Sequence, residues 1–211
     1  MNENELKSLW QSTYEQILLN TNLIRNNQED LTTIKVHQTL SSLKPSKIVM
    51  IILGILWVLF IDALILNFYS IASWFFLGSA LAISMINKIS IAIYIYHLVL
   101  INQVNTLPVV EGQKKLGTLK SSSLLVVRIL ILQIPFWTIF WWNESMIKEW
   151  KFYQWTIAGI VTLLSILFTR WLFKNIKFEN RDKKWFKWIF RGNEWQAVIR
   201  SMELLQLIKE Y

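Results

Sequence analysis

The side chains able to do chemistry are few, and their spacing excludes most reaction classes. His37 and His97 are the only histidines and cysteine is absent. Thiolate, iron–sulfur and zinc chemistry therefore lack ligands, and two imidazoles on different predicted helices do not make a metal site. There is no Gly-rich phosphate loop and no GxSxG or HExxH motif. The chain reads as non-enzymatic, with no catalytic residue, cofactor or metal assigned. What remains are polar groups set in apolar runs: Asp62, Lys88, Arg128 and Gln133. A charge at the bilayer centre costs at least about 2.5 kcal/mol, so such groups are functional candidates by default. Two readings stand. Lys88 and Arg128 snorkel to the inner headgroups while Asp62 is protonated or wetted from outside, or Asp62, Lys88 and Gln133 line a transport path. Counting along the spans puts Asp62 and Lys88 about 9 Å from opposite boundaries of a core about 30 Å thick, which predicts that they do not meet.

The elements that must carry these groups are membrane helices. Of 211 residues, 54% are hydrophobic, with 12 Trp and 12 Phe, more apolar surface than one small water-soluble core hides. The run IVMIILGILWVLFIDALILNF, Ile48 to Phe68, holds a single charge and is long enough to cross a bilayer. Further spans are predicted at 74–94, 124–142 and 154–173. Pro135 is expected to kink the third, and Trp137, Trp141, Trp142, Trp155 and Trp171 suit interfacial belts. The expected fold is all-α: a polytopic membrane protein with four transmembrane helices and amphipathic helices at both termini.

The net charge of +8 sits beside these spans, which points to anionic headgroups rather than direct contact with nucleic acid. Lys44, Lys47, Lys114, Lys115, Lys120, Arg170, Lys174, Lys177, Arg181, Lys183, Lys184, Lys187 and Arg191 fall on one side, against Lys148 and Lys151 on the other. By the positive-inside rule both termini are cytoplasmic.

Three cytoplasmic pieces result. Residues 1–46 read as one amphipathic helix whose seam alternates spacings of four and three: Leu6, Trp10, Thr13, Ile17, Asn20, Ile24, Asn27, Leu31, Ile34 and Gln38. Lys44-Pro45-Ser46-Lys47 is expected to break it. Its apolar members, Leu6, Trp10, Ile17, Ile24, Leu31 and Ile34, either pack on the protein's own cytoplasmic helices or dock a separate protein. The membrane domain, 47–173, carries a cytoplasmic hairpin at 95–123. There Thr106-Leu107-Pro108 starts a helix, Gly112 and Gly117 permit close approach of a neighbour, and the N-terminal helix is received. In 174–211, basic residues alternate with Phe178, Trp185, Phe186, Trp188, Ile189 and Phe190, as in a segment lying on an anionic leaflet. A capping box at Asn193 and Gln196 then starts a helix with a stripe from Trp195 to Ile208.

The segments LKSLW (6–10), ILGILWVLF (52–60), IYIYHLVLINQVN (93–105), VVEGQKKLGTLKSS (109–122) and RILILQIPFW (128–137) resemble an uncharacterised family of bacterial four-span inner-membrane proteins. The resemblance covers most of the chain and implies no catalytic residue. Some members carry a carotenoid monooxygenase label, but known enzymes of that activity hold iron with four histidines, and only two are present here. Others lie beside extracytoplasmic-function sigma factors. The resemblance thus implies a regulatory inner-membrane protein whose cytoplasmic helices bind a partner, a sigma factor being one candidate. An oligomeric membrane scaffold is the alternative, followed by a small transporter or channel.

Overall fold

Apolar runs too long for one face of a soluble helix become long helices with most of their surface outward. A computed structural model describes residues 3–104 and 109–190, and every element among them is helical. In order these are α1 (Glu3–Ser41), α2 (Lys44–Phe68), α3 (Trp74–Val104), α4 (Val109–Ile131), α5 (Ile134–Ile139), α6 (Glu144–Glu149) and α7 (Phe152–Asn175). A 3₁₀ turn (Phe178–Asn180) and α8 (Lys184–Ile189) follow. Four stretches are long and apolar enough to cross a membrane: Gln38–Phe68, Trp74–Val104, Lys114–Ile139 and Phe152–Asn175. The chain is a multi-pass membrane protein by this criterion. In α3 33% of the most apolar window is buried, against 11% in each of the other three, so α3 is the axis of the bundle. It packs against α2, α4, α5 and the end of α1, while α7 packs on α5 and α4.

Two devices set the α2–α3 pairing. Gly54 lets the helices approach: a Cβ there lies 3.0 Å from Ile91 Cγ1. At the far end the turn closes on Ser73, whose Oγ accepts the Phe76 N–H at 3.2 Å as a helix N-cap and donates to the Trp142 carbonyl at 2.6 Å. Beneath this turn Ile61, Ala80, Ile83 and Phe140 form a core walled by Leu64, Phe76, Phe136 and Trp137. Pro135 acts as expected. It lacks the N–H that continues an α-helix, and the chain tightens into i→i−3 bonds, Leu132 to Ile129 and Gln133 to Leu130, before α5 resumes.

Several expectations are corrected. The break expected at the basic KPSK segment falls just before it, and KPSK itself opens α2 with Pro near the first turn, where a missing N–H is harmless. The interruption is the Ser42–Leu43 step, where Leu43 keeps right-handed helical angles and its N–H bonds to the Leu40 carbonyl at 3.0 Å. The α3–α4 hairpin forms, burying Leu100, Ile101, Val104, Leu116 and Leu119, but only the last turn of α1, with Leu40 buried, reaches it. Gly112 and Gly117 do not serve close packing, since a Cβ at either meets nothing within 4 Å.

The aromatic residues after the fourth span are also turned otherwise than expected. Phe186, with 1% exposure, closes a core with Leu124, Leu172 and Ile176, and Phe178, Trp185, Ile189 and Phe190 pack around it. The lysines face outward and Trp188 stays exposed. The reason is proximity: α8 begins nine residues after α7 ends, within reach of apolar surface on α4 and α7 that water-facing packing cannot leave bare. Thr106-Leu107-Pro108 and the helix expected from Asn193 lie outside the described residues.

Candidate functional site

The intramembrane charges meet, against expectation. Asp62 Oδ1 accepts a hydrogen bond from Ser84 Oγ at 2.5 Å, and Oδ2 accepts from Lys88 Nζ at 2.9 Å. Counting residues from each span's end misplaced them because the hairpin register puts Asp62 level with Ser84, and Lys88 is one turn further, about 6 Å of rise. Helical side chains lean toward their own helix N-terminus. As α2 and α3 run in opposite directions, Asp62 and Lys88 lean toward each other and close that gap. Lys88 therefore does not snorkel to the headgroups. The pair sits on the surface of the α2–α3 seam, with side chains 34% (Asp62) and 49% (Lys88) exposed.

Arg128 reaches the end of the fourth span. It lies in the last turn of α4, and its Nε donates to the Ile176 carbonyl at 2.7 Å, with Nη2 donating to the same oxygen. Ile176 is the C-cap of α7, so the guanidinium satisfies a helix-end carbonyl and complements the negative end of the dipole. Close by, Phe178 lies beneath two cations, with Lys120 Nζ 3.1 Å and the Arg181 guanidinium 4.5 Å from its centroid. Gln133 is on another side of α3, where its Oε1 accepts from Asn87 Nδ2 at 3.2 Å.

His97, expected at headgroup level, is fully buried between α3 and α4. Its Nε2 is 2.8 Å from Ser122 Oγ, and that hydroxyl donates to the Thr118 and Leu119 carbonyls. The ring serves to lock the hairpin. At the same end Lys47, 4% exposed, lies 4.7 Å from the Tyr94 centroid and ties the start of α2 to α3. Among the described residues no three His, Asp or Glu side chains gather where a metal ion is held.

The second candidate site is α1. Trp10, Ile17, Ile24, Leu31 and Ile34 are between 52% and 72% exposed; the Leu6 side chain is outside the description. Among the described residues none covers Trp10, Ile17, Ile24, Leu31 or Ile34 of the predicted stripe. Ser84, Asn87 and the Ile176 carbonyl escaped sequence reasoning. Ser84 lies four residues before Lys88 and so on its face of the helix, but only the α2–α3 register makes it a partner of Asp62. Compared with protein-family models, curated proteins and solved structures, the chain matches none.

Proposed function

We propose that this is a non-enzymatic regulatory membrane protein that holds a cytoplasmic protein through α1. The observation that carries the reading is the seam of Trp10, Ile17, Ile24, Leu31 and Ile34, exposed along a 39-residue helix. A helix gains little from propensity alone in water, and its apolar face is stabilised by burial against another surface. The amphipathic face fits helix-in-groove recognition, with anchors spaced three and four residues apart. We place the protein in a bacterial inner membrane with both termini cytoplasmic, where the outward lysines of residues 174–190 meet anionic headgroups. On the sequence resemblance given above, a sigma factor is the first partner to test.

The experiment is affinity purification after mild detergent extraction, comparing the full chain with Ile17→Asp/Ile24→Asp and with a chain lacking residues 3–37. The expected result is a defined cytoplasmic protein retained by the full chain and lost from both variants, with the membrane domain still folded. Recovery of this chain alone from all three, or of a protein equally retained without α1, refutes the proposal.

A further inference from the structure

The Asp62–Lys88 pair lies where a bilayer offers no hydrogen-bonding group, yet it is half open to the outside of the bundle. Intramembrane charges almost always face a bundle interior or a wetted cavity. Asp62 uses one lone pair on each oxygen, for Ser84 and Lys88, and keeps others. Lys88 keeps donors too: an ammonium has three N–H donors, and among the described residues one of them has an acceptor. Around the pair the surface is apolar, with Leu59, Leu66, Leu81, Met85 and Ile89 all exposed.

We propose that this α2–α3 face is the interface with a second copy of the chain in the membrane. Charge complementarity selects that occupant. The outward group carries one positive and one negative charge, with donors left on Lys88 and lone pairs left on Asp62, so under a two-fold axis it is its own complement. Lys88 of each copy then donates to Asp62 of the other, closing a ring of four charges without net charge. Lipid tails supply no acceptor, and a different membrane helix has to bring both an acceptor and a donor to this depth. Polar contacts of this kind hold transmembrane helices together. The inference concerns a face remote from α1 and stands whether or not α1 holds a partner.

The test uses the natural absence of cysteine. Met85→Cys, on the proposed face, and Leu163→Cys, on an exposed face of α7, are each oxidised in native membranes with copper phenanthroline. The expected result is a disulfide-linked homodimer from Met85→Cys and none from Leu163→Cys. Adding Asp62→Asn/Lys88→Met lowers the linked fraction, the dimer weakening about threefold to fifteenfold per lost contact. The exchange Asp62→Lys/Lys88→Asp keeps the self-complementary pair and retains linking, which separates loss of the interface from misfolding. Equal linking at both positions, no linking from Met85→Cys, linking to a different protein, or linking indifferent to neutralisation overturns the proposal.

Discussion

Replacing Arg128 by Met is expected to free the segment that follows the fourth span. Arg128 places Nε and Nη2 on one carbonyl, that of Ile176, at the end of α7. A hydrogen bond from a charged group contributes roughly 1.5–3 kcal/mol, and a cation at a helix C-terminus adds in the same direction. Both donors share one acceptor and the guanidinium is half-buried, so the lower part of that range applies, about 2 kcal/mol. Methionine fills the volume but leaves the carbonyl without its donor. At about 1.4 kcal/mol per tenfold, the open form of residues 177–190 becomes roughly 30-fold more populated. Trypsin reads this directly, because Lys183, Lys184 and Lys187 are already exposed and cleavage follows local opening when reclosure is fast. The expected order of cleavage rates is wild type, then Arg128→Lys, which offers one point charge in place of the fork, then Arg128→Met. Phe186→Ala serves as the reference for an undocked segment, since emptying a fully buried Phe site costs about 3–5 kcal/mol. If Arg128→Met cleaves at the wild-type rate while Phe186→Ala cleaves fast, the guanidinium does not clamp α7 and the reasoning fails.

Two further outcomes follow from the α2–α3 seam. Gly54→Val is expected to destabilise the bundle by about 1–3 kcal/mol through overpacking on Ile91, and Ile91→Ala is expected to restore it. Gly54→Ala falls between wild type and Gly54→Val, because Ile91 Cγ1 has to give by a few tenths of an ångström while alanine favours the helix by up to about 1 kcal/mol; thermal unfolding in lipid nanodiscs ranks the three. Asp62→Asn strands the Lys88 ammonium and is expected to lose about 2 kcal/mol, less than the full cost of a lone charge at the bilayer centre because Lys88 is half exposed. Adding Lys88→Met recovers most of that loss. The double-mutant cycle, run in nanodiscs holding one chain each, shows no coupling if the pair is incidental.

Hydropathy, residue spacing and proline are local properties, and the chain's own order of residues determined what depends on them. The long apolar runs appear as helices of membrane-spanning length, and Pro135 interrupts the third. Even the paired character of 95–123 was legible, because two helical stretches lay on either side of a short break. What the tertiary structure alone decided is which side chains share a place. Asp62 and Lys88 lie 26 positions apart and seemed out of reach because residue counting assumes each span starts at a flat boundary. Gly54 against Ile91 and Ser73 against Trp142 set a different register, and the opposed lean of side chains on antiparallel helices closed the remaining turn. The residues from Phe178 to Phe190 were misplaced for a related reason. Composition records that a side chain is basic or aromatic, but whether it meets a headgroup, a helix end or a core depends on the few ångströms of neighbouring backbone that folding brings beside it.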